Sequence, residues 1–478
     1  MGVLLSVAAV LSFVQAPASP EATASTRVLT LEEAVKLALV ENLNLQSSVD
    51  VVQGAMIGEN LAESRFNFKV TPSYVRGFGE SSLVDQGVGV EISKLLPFGT
   101  TVAGDLRSDW AGSDLGNFNA SAVSFRVTQP LLRGFGKKAT EYDLENSRRS
   151  LQSSERNLEL SRQRLAVDVV SNYYNIVRQA GLVDVAEKSL GRNKELLRAS
   201  EARLEVGLAS KLDVFRAELQ LSQAEEGVIF RKEALELALD SFKFNLGLAP
   251  TDVVALEMLE PEFQPVEVDV DAATALALQN RIEMREENDR IQDAQRSLAV
   301  SRQNLLPQVD LNLRYDRRGL GDSFTSSFDF IDNAFNMFLS TNYPLDRSSE
   351  NASFAMTQID LGARRRQLRL VEYNIANEVR AAARNVERVG KSIVLSERNT
   401  DFAEKQLRLA TLRYQRGLAS NFDIIDAENN LIQARSNYVS LVSDYHVAQI
   451  ELKRVTGTLD VDTEFAPGNF LPSARHHP

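Results

Sequence analysis

The 478-residue chain contains no cysteine, three histidines and one tryptophan. Without thiols there is no disulfide framework, no thiolate metal site and no N-terminal cysteine to carry lipid. Two of the histidines, His476 and His477, sit in the terminal tail, so a histidine metal centre is not expected. Basic residues are in the minority, 53 Lys and Arg against 65 Asp and Glu for a net charge of −12. Such a chain lacks the basic face that nucleic acid requires. Long apolar runs are missing too: beyond the N-terminus nothing reaches the ~18 residues of a transmembrane helix. There is no nucleophile paired with a base, no metal-ligand spacing and no phosphate loop, which argues against an enzyme or a bound cofactor. RGFG at Arg133 to Gly136 lacks the glycine spacing of a dinucleotide motif.

What is present is a repeat. Arg203 to Ala224 reads RLEVGLASKLDVFRAELQLSQA, and Arg413 to Ala434 reads RYQRGLASNFDIIDAENNLIQA, an offset of 210. From Gly207 an apolar ladder runs back in sevens through Leu204, Leu197, Leu190, Val183, Ile176 and Val169. From Gly417 the matching ladder is Tyr414, Leu407, Thr400, Ile393, Val386 and Val379. Forward of the tips it continues through Val214, Leu221, Val228, Leu235 and Phe242, and through Ile424, Leu431, Tyr438, Tyr445 and Leu452. A seven-residue period sustained this long predicts coiled-coil seams. Each GLAS glycine suits a left-handed helix end. Ser210 with Asp213, and Ser420 with Asp423, suit capping boxes at the next helix. Two long helical hairpins follow, rising from about Thr140 to Leu204 and from about Gln358 to Tyr414.

The first helices repeat as well. Thr30 and Glu33 frame a capped helix at TLEEAVKLALVENLNL, and VDAATALALQNRIEM from Val270 matches it at an offset of 239. After each comes a strand signal: 70–75 in the first half, and in the second Val309, Leu311, Leu313 and Tyr315 alternating with polar residues. Ala122 to Thr128 and Phe335 to Thr341 form a further pair, with Pro130 and Pro344 just beyond. Gly87 to Ile92 and Thr100 to Leu106 are candidate extra strands, either within the sheet or outside it. Loops are expected at Gly77 to Gln86 and Asp316 to Asp332. The chain then divides into a secretory signal at 1–24 ending at Ala22-Thr23-Ala24, a first repeat at 25–247, a linker at 248–269, a second repeat at 270–459 and a flexible tail at 460–478. Four to six strands cannot close a membrane barrel alone, and an open edge is not tolerated in lipid. Strands that enter a membrane must therefore be pooled by several chains.

The TLEEAVKLAL start, QPLL at the strand exit, the paired GLAS tips and FDIIDAENNLIQA resemble the TolC-like outer-membrane factors of Gram-negative bacteria, over about Thr30 to Leu459. The resemblance implies a mainly α homotrimer, with duplicated long hairpins forming an α-barrel tunnel in the periplasm and a shared transmembrane β-barrel in outer-membrane lipid. It implies a passive, gated exit duct of tripartite efflux or type I secretion, for small molecules or proteins. The implied partners are a periplasmic adaptor and, through it, an inner-membrane transporter.

The resemblance places pore-narrowing aspartates at Asp423 and Asp426, with Asp213 as another acidic tip residue. Asp423 and Asp213 are equally accounted for by their capping boxes, and Asp426 by a solvated helix face. Beside the aspartates the family has a Tyr and an Arg that latch the mouth. Tyr414 matches the Tyr, whereas Ala419 stands at the Arg position, so that latch is absent or built differently, with Arg413 and Arg416 as candidate substitutes. The tips, Gly207, Leu208, Ala209 and Ser210 with Gly417, Leu418, Ala419 and Ser420, are where adaptor hairpins would dock. A structural coiled-coil protein is one alternative, which leaves the strands unexplained. A periplasmic adaptor is another, but it would carry one hairpin rather than two.

Overall fold

The computed structural model describes residues 27–77, 86–113, 116–257 and 263–465. The expected signal segment and most of the tail lie outside them. Strand β1 (Arg27–Leu29) leads into α1 (Leu31–Glu41) and α2 (Leu43–Ser64). Four strands follow: β2 (Lys69–Arg76), β3 (Gln86–Leu95), β4 (Thr101–Ser113) and β5 (Gly116–Pro130). A short α3 (Lys137–Thr140) precedes the long α4 (Tyr142–Glu205) and its return, α5 (Lys211–Leu246). After β6 (Val254–Leu256) the order recurs as α6 (Val270–Asn280), α7 (Ile282–Gln303), β7 (Gln308–Gly321), β8 (Asp332–Asn342), α8 (Ser348–Gln415) and α9 (Asn421–Val455), ending at α10 (Val461–Glu464).

The halves match closely in length. Helices α1 and α6 have 11 residues each, and α2 and α7 have 22 each. Thr30 and Glu33 close the expected capping box. Asn42 both ends α1 and starts α2: its Oδ1 accepts from the Leu45 N–H, and its Nδ2 donates to the Asn245 carbonyl. Helix α8 begins at Ser348, ten residues before the expected Gln358, because Pro344 and not the ladder sets its start. With 64 and 68 residues, α4 and α8 are each about 100 Å long.

The ladders are buried seams. Val169, Ile176, Phe242, Val379, Val386, Ile393 and Tyr445 are all 2 % exposed or less. Each such side chain stabilises the fold by about 1.5–3 kcal/mol on burial, so Ile393→Ala would cost about 2–5 kcal/mol with its cavity.

The start of the tail is more ordered than the sequence suggests, and the linker packs against the helices. Val461 and Phe465 are buried in the cluster formed by α1, α4 and α5, so the expected flexible segment does not begin at residue 460. Within the linker, β6 pairs in parallel with β1. Farther along, the Tyr445 hydroxyl accepts from the Val266 N–H and donates to the Gln264 carbonyl, tying the linker to α9.

Among the described residues six strands form one sheet in the order β2-β3-β4-β5-β7-β8, antiparallel throughout. The candidate extra strands are therefore part of the sheet. Strand β7 runs on to Gly321, so the loop expected from Asp316 starts six residues later, at Asp322. One row across the sheet reads Val70, Ile92, Gly104, Phe125, Tyr315 and Phe335. The adjacent row, on the other face, reads Thr71, Glu91, Asp105, Ser124, Asp316 and Ala334. One face is apolar and the other polar, and Val70, Ile92, Phe125, Tyr315 and Phe335 are 41–67 % exposed.

Candidate functional site

Both hairpins turn by the same backbone device. Gly207 and Gly417 take φ of 76° and 74°, the left-handed region in which a Cβ is costly. At the first tip the Gly207 N–H donates to the Leu204 carbonyl and the Leu208 N–H to that of Arg203. At the second, Gly417 and Leu418 donate to Tyr414 and Arg413 in the same pattern. This is the Schellman closure of a helix end.

Ser210 and Ser420 then start α5 and α9, each in a capping box with Asp213 or Asp423. The Asp423 carboxylate accepts from the Ser420 N–H at 2.7 Å and its hydroxyl at 2.8 Å. These bonds hold the Asp423 carboxyl below the usual carboxylate range. The Ser210 hydroxyl and then its N–H do the same for Asp213. Asp426 lies three residues on, exposed, where it accepts from Asn430 Nδ2 at 3.3 Å.

Tyr414 is 6 % exposed and packs with Leu196, Ala217 and Ile424. The Arg203 guanidinium lies over its ring, 4.2 Å from the centre, and also donates to the Gln415 carbonyl at 3.1 Å. The Tyr414 hydroxyl is 3.3 Å from that of Ser200. Arg413 instead turns back to the Leu418 carbonyl, 3.5 Å away. The cation beside Tyr414 thus comes from α4 rather than from Arg413.

Two further ties join the halves here. Arg192 on α4 grips Glu428 on α9 through two hydrogen bonds of 2.7 Å, with the carboxylate side chain 2 % exposed. Asn421, at 1 % exposure, donates from Nδ2 to the Asp213 carbonyl at 2.8 Å. A cleft of about 450 Å³ opens between α4, α8 and α9, lined by Leu196, Tyr414 and Ile424 and edged by Arg192, Arg203 and Glu428.

Sequence reasoning found Tyr414 and the caps but missed Arg203, Arg192 and Glu428. Arg203 opens the repeated motif and could have been weighed beside its equivalent, Arg413. Arg192 had no such signal, since its equivalent at offset 210 is Phe402. Among the described residues no group of His, Cys, Asp and Glu could hold a metal ion. No helix there is long and apolar enough to cross a membrane.

Comparison with known proteins gives a consistent picture. A family model described as outer membrane efflux protein matches residues 84–246 and 273–458. The chain is 24 % identical over 429 residues to nodulation protein T of Rhizobium leguminosarum bv. viciae, covering 86 % of this chain and 79 % of that one. It is 22 % identical over 386 residues to the alkaline protease secretion protein AprF of Pseudomonas aeruginosa, with 78 % and 76 % covered. Among solved structures it is similar to the outer membrane protein VceC of Vibrio cholerae, with a TM-score of 0.70 at 16 % identity over 89 % of this chain and 96 % of that one. At that identity the likeness is one of fold.

Proposed function

The chain belongs to the outer membrane efflux protein family, and from that premise we propose that it is the passive, gated exit duct of a tripartite efflux or type I secretion system. The family is one of outer-membrane channels extending into the periplasm, and this chain is such a channel. It draws no energy of its own. A periplasmic adaptor joins it to an inner-membrane transporter, and the two exposed GLAS tips are the docking points.

The observation that carries this reading is the two-faced sheet on top of the long hairpins. An apolar face suits lipid and a polar face suits a water-filled lumen, the pattern of a membrane barrel. The sheet has two open edges, so several copies must complete it.

The internal repeat supports a closed ring of identical copies, in this reading a homotrimer. Within the chain, Arg156 on α4 pairs with Asp289 on α7 at 2.7 Å. An offset of +210 carries Arg156 to Arg366 on α8, and −239 carries Asp289 to Asp50 on α2. Tyr174 on α4 stacks on His446 of α9 at 4.9 Å. The offsets of +210 and −210 carry these to Arg384 on α8 and Glu236 on α5. All four residues reached are exposed, and each set couples a cation with an anion. The α2 and α5 of a second copy would fill the α8 face as α7 and α9 fill that of α4.

In this reading Asp423, Asp426, Asp213 and Tyr414 form the narrow mouth, where three copies bring like charges together. The Arg203–Tyr414 and Arg192–Glu428 ties hold the second hairpin against the first in the closed state. Single-channel recording in a planar bilayer tests the reading. A cation-selective current that rises when Asp423 and Asp426 are replaced by Ala is expected. A folded trimer that passes no current in either form would sink it.

A further inference from the structure

Resting on the trimer reading, we propose that three copies close one barrel of eighteen strands, six from each, with β2 of one copy paired to β8 of the next. The number follows from an unbroken sheet. Strands β3 and β4 pair over ten residues and β4 and β5 over thirteen, so the β3–β4 hairpin is no flap beside a four-stranded sheet. Six is also even. Strands β2 and β8 run in opposite directions, so the closing pair is antiparallel like all the others.

The hairpin is fastened where it turns toward the helices. Gly99 has φ of 90°, and a Cβ there would come within 2.7 Å of the Gly134 carbonyl oxygen. The Gly136 N–H donates to the Phe98 carbonyl at 3.1 Å, and the Lys94 ammonium lies 4.2 Å from the Phe68 ring centre. The RGFG run, which fits no nucleotide motif, is thus the seat of the β3–β4 turn.

The widths agree. The helices attached to the sheet neighbour one another in the order α2, α4, α7 and α8, the order of their strands β2, β5, β7 and β8. Four helices at about 9 Å spacing span about 36 Å of wall. Six strands about 4.8 Å apart and tilted about 40° span about 38 Å, whereas four would span about 25 Å. Three six-stranded sheets therefore continue a twelve-helix tunnel without a step. The barrel backbone would be about 36 Å across, against about 24 Å for twelve strands, in the range where barrels hold an aqueous channel. Every residue of β2 and β8 is exposed in the single chain, as edges awaiting a partner would be.

The cysteine-free chain makes this testable. Ser73→Cys on β2 is combined in turn with Asn336→Cys and Ser340→Cys on β8, in the full-length protein in detergent. Within one copy these edges lie five strand spacings apart, about 24 Å, so a disulfide can form only between copies. Covalent trimers from at least one pair, and from neither single variant, are expected on oxidation. Electron cryomicroscopy of the unmodified protein should count eighteen strands. A trimer by light scattering that forms no covalent product, or that shows twelve strands, overturns the eighteen-stranded barrel. A monomer by light scattering overturns the trimer reading beneath it.

Discussion

The Arg203 guanidinium sits 4.2 Å from the centre of the Tyr414 ring, joining the last turn of α4 to the last turn of α8. This contact spans the two halves close to the hairpin tips. A cation over an aromatic face contributes about 0.5–2 kcal/mol depending on its desolvation. Arg203→Ala is therefore expected to raise the open population by about 2- to 30-fold, read as open probability in bilayer recordings. Tyr414→Phe keeps the ring and loses only the contact with Ser200, so its effect should be the smaller. An Arg203→Ala channel that gates like wild type would show that the pair has no part in closure.

Removing Arg192 leaves the Glu428 carboxylate buried without its partner. Losing one side of a fully buried pair costs about 3–5 kcal/mol. Arg192 keeps 31 % of its side chain in solvent, so about 2–3 kcal/mol is expected of Arg192→Ala. Hydrogen exchange in the first turns of α9 should quicken accordingly, while exchange near Tyr445 stays unchanged. Glu428→Gln retains an acceptor and should cost less.

The capping aspartates set the acid limit of the tips. Their folded pKa values lie below those of the unfolded chain. The stabilisation is therefore present above the ordinary carboxylate value, about 3.9, and is lost as pH falls through the lower folded values. Ser210→Ala removes the larger cause at Asp213, whereas Ser420→Ala removes the lesser one at Asp423. NMR titration should show the greater upward shift at Asp213.

Trimer strength should depend on Arg384 and Glu236. Arg384→Glu or Glu236→Arg alone places like charges together, and the double exchange restores an opposite pair. Each single variant should lower the temperature at which the trimer dissociates on a native gel, and the double should recover most of that loss. Additive losses would place the two residues apart.

Much of this molecule was legible in its sequence because its strongest signals are local and periodic. Val379, Val386 and Ile393 recur every seventh residue, and the seam they make is buried. Gly417, Ser420 and Asp423 spell a helix end, a cap and a capping box within seven positions. Strands β3 and β4 were less visible, since Gly87, Gly89 and Gly104 put no side chain into the alternation. Phe338 does the same harm to β8, standing among the polar residues Asn336 and Ser340. The Arg192–Glu428 tie could not be read from the repeat at all. Its equivalents are Phe402 and Glu218, both exposed, and a long side chain reaching across helices leaves no mark on periodicity. Arg203 was obscured by the repeat itself, which drew attention to Arg413 on the same hairpin as Tyr414.

The tips have one more property. A Cβ added at Gly207 or Gly417 would meet nothing within 4 Å, and Leu208 and Leu418 are 73 % and 66 % exposed. Each turn is closed by its own main chain and a serine–aspartate pair, with Arg413 and Asn421 adding side-chain ties, so the exposed leucines carry little of the folding free energy. Leu208 and Leu418 can therefore change to suit a new neighbour while the left-handed glycines and the rods behind stay as they are. In the exit-duct reading, the surface that meets a partner can thus change at a different pace from the rods that form the duct.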